Sequence, residues 1–173
     1  MFPGIIPEGF STGVWNKLVF VKDFFMKLQI QVLSDKIGSN IPLPYYATAG
    51  AAAVDLHACT DEAVVIPARG QAVILTGIAV AVPEGYVGIM AARSSMGVRH
   101  GVWMCNGIGV IDSDYRGELR VGLYNSREED YVVEPGDRIA QLMIVPVLCP
   151  EIEVVAQLPE TARGTGGFGS TGR

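Results

Sequence analysis

Charged residues, cysteine and histidine are all scarce in this chain, and each shortage removes a class of function. Only 18% of the 173 residues are charged while 49% are hydrophobic, and the net charge is -5. Without a basic patch to release counterions, nonspecific binding to a nucleic-acid backbone is disfavoured, and no nucleic-acid partner is expected. Three separated cysteines, Cys59, Cys105 and Cys149, spell neither a disulfide framework nor a CxxC metal site, and they suit a reducing compartment, the cytoplasm. With only His57 and His100 beside them, the HxE and CxxC pairings of zinc hydrolases and deaminases are missing too. No apolar run reaches the roughly 18 residues that cross a bilayer, so no membrane partner is expected. Residues 1–25 lack a basic n-region followed by a clean apolar stretch. They read as an extension, disordered or peripheral, ahead of a domain that begins at Met26.

Helical periodicity is also rare. Short Val/Ile-rich runs recur instead: 27–33, 63–70, 71–77, 78–85, 86–92, 117–125, 130–137, 138–147 and 151–157. These predict strands. Between them, Pro67 to Gly70, Pro83 to Gly85 and Pro135 to Asp137 combine turn-forming proline and glycine. Many short strands predict an all-β domain, a sandwich, jelly roll or barrel, as one unit from residue 26 to about 157. One short helical turn is expected around Ser95 to His100. So few charges on a small globule suit apolar faces covered in an oligomer, and equally a well-filled core in a single copy.

Four polar islands interrupt the apolar pattern, at strand ends and turns where sites usually sit. "AGAAAVDLHA" places Asp55 among small residues. "ARSSMGVRHG" offers Arg93 with the hydroxyls of Ser94 and Ser95, a donor set suited to phosphate and also to an ordinary helix cap. In "NGIGVIDSDYRGELR", the amide of Asn106 has both a donor and an acceptor and can pair with a base edge. Asp112 and Asp114 share a face if that segment is extended, a carboxylate pair of the kind general-base chemistry uses, or else a polar hairpin facing water. Tyr115 follows. "PGDRIAQLMIV" sets Asp137, Arg138 and Gln141 at a turn-to-strand junction.

The end of the chain, "RGTGGFGSTGR", carries five glycines, one aromatic and two arginines. Gly164, Gly166 and Gly169 spell GxGxxG, but this sequence stops where the motif needs a helix N-terminus to hold the phosphate, so the dinucleotide motif fails on context. Glycine loses the most backbone entropy on ordering, so this segment should stay loose until something holds it.

Taken in order, the islands and the tail resemble the five motifs of the trimeric dUTPase family, from Met26 to Arg173: "RSSMG", "GVIDSDYRGE", "GDRIAQL" and "RGTGGFGSTG" each match closely. The resemblance implies a jelly-roll homotrimer that hydrolyses dUTP to dUMP and pyrophosphate, lowering dUTP and supplying dUMP for thymidylate synthesis. It implies Asp112 as the general base for a water attacking the α-phosphorus, and Tyr115 against the deoxyribose. Asn106 with Gly107, Val110 and Ile111 would read uracil, and Arg93, Ser94, Ser95 and Gln141 would hold phosphates and water. Arg120 also falls among the substrate-binding positions. Mg2+ would arrive on the triphosphate, with Asp55 touching it only through water. The tail, residues 158–173, would close as an arm over a neighbouring subunit's site, Phe168 stacking on uracil, Arg163 meeting the γ-phosphate, and Gly169 and Ser170 lining the nucleotide.

One position departs from the family pattern: Ala53 stands where the first motif usually has glycine, which puts the hairpin near Asp55 in question. Two rivals follow from the same fold. A dCTP deaminase needs a glutamate where this chain has Gly122. A noncatalytic nucleotide-binding regulator would have no use for Asp112, Tyr115 and a complete tail together.

Overall fold

Alternation of inward apolar and outward polar residues governs the strands that form. The structure is a computed structural model, and it describes residues 26–167. Ten strands occur among them: β1 Gln29–Val32, β2 Val54–His57, β3 Val64–Ile66, β4 Gln71–Ala81, β5 Tyr86–Ala92, β6 Val102–Met104, β7 Ile108–Ile111, β8 Glu118–Asn125, β9 Tyr131–Val133 and β10 Arg138–Pro146. In β8 the side chains of Leu119, Val121, Leu123 and Asn125 turn inward while Arg120 faces out. Period-two burial of this kind is what a half-buried strand requires. A single helical turn, Met96–His100, follows β5 and ends at Gly101 in the left-handed conformation.

Two four-stranded antiparallel sheets carry the fold, ordered β1-β4-β8-β6 and β2-β10-β5-β7, with β3 and β9 paired separately. Their crossing connections make a jelly-roll-like architecture, all-β as the strand count predicted and of the kind the resemblance implied. The inward faces bury Leu56, Ile74, Met104, Leu119, Leu123, Ile139 and Leu142 in one core. Each such side chain contributes about 1.5–3 kcal/mol by leaving water. Asn125 is a polar residue fully buried among them: its Nδ2 donates to the carbonyls of Ile66, Pro67 and Glu129 at 3.2, 3.3 and 2.7 Å, and its Oδ1 accepts from the Arg127 N–H at 2.9 Å.

Three expectations are corrected. Runs 71–77 and 78–85 are not separate strands; β4 is continuous through a register shift between Leu75 and Ala79, where Gly77 takes φ +68°. A Cβ there would lie 2.6 Å from Cys59 Sγ, so glycine is required both by backbone and by packing. The run 151–157 forms no strand: after Pro146 the chain leaves the sheet with Leu148, Ile152 and Val154 at least 90% exposed. Among the described residues nothing covers the side chains of Leu148, Ile152 and Val154. Finally, Asp112 to Tyr115 is a turn closed by the Tyr115 N–H donating to the Asp112 carbonyl at 3.2 Å, so strand alternation does not place Asp112 and Asp114 on one face.

Candidate active site

The sheet β2-β10-β5-β7 carries three polar islands and the first part of the third in sequence, whose end, from Glu118, starts β8 of the other sheet. Asp55 on β2 lies opposite Gln141 on β10, and Gln141 lies opposite Ala91 on β5. Arg93 stands just past the end of β5, so three islands distant in sequence meet at one edge. Their cavity, about 360 Å3, is lined by Asp55, Arg93, Ser94, Arg138 and Gln141, with alanines 51–53 forming a wall. The Asp55 carboxylate is clamped from two sides, by Arg93 Nε at 3.0 Å and by Arg138 Nη1 at 3.2 Å.

Arg138 is the residue that motif spacing alone did not place in the site. The signal was its position at the first residue of β10, opposite His57 in the register. Burial pushes the His57 imidazole below its ordinary range; Asp55 opposes this, and Arg138 and Arg93 reinforce it. Ala53 is accommodated without strain, since Arg69 is the only non-glycine residue with positive φ among the described residues. The departure from glycine therefore asks nothing unusual of the backbone.

The third island is elsewhere. Val110, Ile111, Asp112, Tyr115 and Arg120 line a second cavity of about 160 Å3. That is smaller than the roughly 300–1,000 Å3 of small-molecule pockets, so it is part of a site rather than a whole one. Tyr115 lies over Gly117, where a Cβ would come within 2.6 Å of its Cζ, and the phenol donates to the Glu118 carbonyl at 3.1 Å. The ring is 42% exposed, leaving a face free for a ligand.

The register fixes how far apart these half-sites are. Ile111 pairs with Gly88, so Asp112 lies level with Val87, six positions from Arg93 along β5. At about 3.3 Å per residue this is roughly 20 Å. The Arg93 side chain widens the gap, because it reaches across β10 toward Asp55, away from β7. Groups that grip one triphosphate and aim a water at its α-phosphorus must lie within something on the order of 10 Å. Within one chain Asp112 and Arg93 therefore line separate cavities.

The remaining expected residues are not gathered into either cavity. Ser95 precedes the helical turn, where its side chain makes no capping hydrogen bond. Asn106 and Gly107 are exposed in the three-residue link from β6 to β7, which passes from one sheet to the other, with the Gly107 N–H donating to the Met104 carbonyl at 3.0 Å. Arg163 is exposed and donates within the tail, to the Gly166 carbonyl at 2.9 Å. Phe168, Gly169 and Ser170 lie outside the described residues. Among the described residues no three His, Cys, Asp or Glu side chains cluster to hold a metal, and no helix is long and apolar enough to cross a membrane.

Comparison with known proteins gives the same assignment from an independent direction. The family model for dUTPase matches residues 39–172. The deoxyuridine 5'-triphosphate nucleotidohydrolase of Idiomarina loihiensis is 45% identical over 148 residues, covering 85% of this chain and 98% of the relative. That of Acinetobacter baumannii is 44% identical over 149 residues, covering 86% and 99%. Among solved structures, the Staphylococcus bacteriophage 80alpha dUTPase with dUPNHPP superposes with a TM-score of 0.75 at 31% identity, covering 85% of this chain and 99% of that one. A mutant dUTPase from phage phi11 of S. aureus, described for its coordination of a structural Mg(II) ion, gives 0.67 at 28%, covering 76% and 98%. The chain belongs to the dUTPase family and is a dUTP diphosphatase, a hydrolase.

Proposed function

We propose that the enzyme hydrolyses dUTP to dUMP and pyrophosphate in sites shared between copies of the chain, as a homotrimer. The observation that carries this reading is the division of family motifs between two cavities at opposite ends of one sheet, one with phosphate-binding chemistry and one with the carboxylate and the tyrosine. Neither serves a nucleotide alone, whereas head-to-tail association joins the Asp112 side of one copy to the Arg93 side of the next. The exposed apolar stretch after Pro146 supports the same association, since it awaits a partner surface.

In the assembled site Asp112 accepts a proton from a water as the water oxygen attacks the α-phosphorus. The bond from that phosphorus to the bridging oxygen breaks, and pyrophosphate leaves with the electron pair. Arg93, Ser94, Ser95 and Gln141 hold the phosphates, and charge-assisted bonds from Arg93 replace its bond to Asp55. The free face of Tyr115 packs on the deoxyribose and excludes a 2'-hydroxyl. Asn106, with the backbone of Gly107, Val110 and Ile111, reads the uracil edge, and Arg120 adds to the nucleotide contacts. The tail, with Arg163, Phe168, Gly169 and Ser170, closes over the nucleotide; ordering it costs about 1 kcal/mol or more per residue, which confines closure to the occupied site.

The residues fit Mg2+ carried on the substrate. Arg138 holds one Asp55 oxygen even when Arg93 turns to the phosphates, and no protein cage exists among the described residues, so Asp55 is suited to waters of the ion rather than to direct ligation. When bound, the ion would offset charge on the pyrophosphate leaving group. The three free cysteines accord with a reducing, cytoplasmic setting.

Pyrophosphate release measured across dUTP, dTTP, dCTP and UTP, with and without Mg2+, tests the reading. Strong preference for dUTP is expected. Equal turnover of UTP or dTTP, or ammonia release from dCTP, would overturn it.

A further inference from the structure

Gly77 interrupts β4 with a bulge, and the bulge leaves the groups on its edge in need of partners other than the usual ladder. The Gly77 N–H donates to Glu118 Oε1 at 2.8 Å. The neighbouring Thr76 hydroxyl, buried, donates to the Leu119 carbonyl at 2.7 Å. Between these two anchors sits the Glu118 carbonyl, which accepts the Tyr115 hydroxyl at 3.1 Å. The strand start that receives Tyr115 is thus held on both sides by β4, while Gly117 keeps the space beneath the ring clear.

We infer that Glu118 and Thr76 are positioning residues for sugar discrimination: by tying the start of β8 to the β4 bulge, they fix the height at which the Tyr115 ring meets the deoxyribose. The inference rests on the role of Tyr115 proposed above. A ring held by a single hydrogen bond to a carbonyl follows that carbonyl, and displacement on the order of 1 Å opens room for a ribose hydroxyl. The carboxylate acts here as an acceptor rather than as a charge, so an amide oxygen at the same place serves equally.

The test uses full-length assembled enzyme with Glu118→Ala, Glu118→Gln and Thr76→Val. For each variant kcat/KM is measured with dUTP and with UTP, and hydrogen exchange is followed in residues 74–79 and 112–119. Glu118→Ala and Thr76→Val are expected to lower the dUTP-over-UTP ratio roughly tenfold and to speed exchange in both segments. Glu118→Gln is expected to keep the parental ratio and exchange. An unchanged ratio in Glu118→Ala and Thr76→Val overturns the inference whether or not exchange rises. So does a Glu118→Gln variant as impaired as Glu118→Ala, which would assign the effect to charge. A parental enzyme that turns over UTP as well as dUTP would instead remove the role of Tyr115, and the discrimination inferred from it, while exchange still reported the tie.

Discussion

If Asp112 and Arg93 serve the same nucleotide only from different copies, two inactive variants should restore each other. The structure makes this quantitative. Asp112→Asn leaves a chain with an intact phosphate half-site, and Arg93→Ala leaves one with an intact Asp112 half-site; on a single chain the two lie roughly 20 Å apart along the β5–β7 register. When equal amounts assemble at random, a site draws its Asp112 side from the Arg93→Ala chain half the time. It draws its Arg93 side from the Asp112→Asn chain half the time. About a quarter of the sites are then complete, whatever the number of copies in a closed ring. Coexpression with two different affinity tags, followed by tandem purification and a pyrophosphate-release assay, gives the measurement. The tandem step removes unmixed oligomers and so raises the fraction somewhat above a quarter. Each variant alone should be close to inactive. Mixed oligomers no more active than the single variants would show that both residues come from one chain, and the argument from strand register would be refuted.

Asp112→Asn alone should lower kcat by about a thousandfold or more while nucleotide affinity, measured by calorimetry, stays within roughly tenfold, because it removes the proton acceptor and keeps the shape. Gly117→Ala should lower kcat/KM for dUTP by at least about tenfold with assembly unchanged in sedimentation, since its methyl would meet Tyr115 Cζ at 2.6 Å and push the ring off its seat. Asn125→Ala should cost about 3 kcal/mol in denaturant unfolding at fixed protein concentration, by leaving buried backbone groups of the 66–67 and 127–129 segments unpaired. For His57 the folded value lies below the ordinary 6.5, so the unfolded chain binds more protons between the two values. Stability should therefore fall as pH drops below about 6.5 and level off below the folded value, and His57→Gln should lessen that fall in urea midpoints measured across the range.

Much of the site was legible in the chain because its parts are local: a glycine after Tyr115 and Arg116, an arginine before paired hydroxyls, an aspartate among small residues. Arg138 was less legible. Its bond to Asp55 joins residues 83 positions apart, and no local pattern reports a contact set by strand order. Glu118 was hidden for a related reason, since its partner is a bulge, and a bulge exists only relative to the strand it fails to match. The loss of a strand at 151–157 went the other way: a Val/Ile-rich run suggested extended chain, and hydrogen bonding among the described residues did not supply it.

Composition and the order of the motifs by themselves determined the all-β class, the family and the residue types available for chemistry, because two-residue periodicity and local turn chemistry are properties of contiguous residues. Only the tertiary structure decided which of those residues share a cavity. Antiparallel pairing of β5 with β7 sends their ends in opposite directions, so Arg93 and Asp112, neighbours in motif order, end up at opposite ends of one sheet.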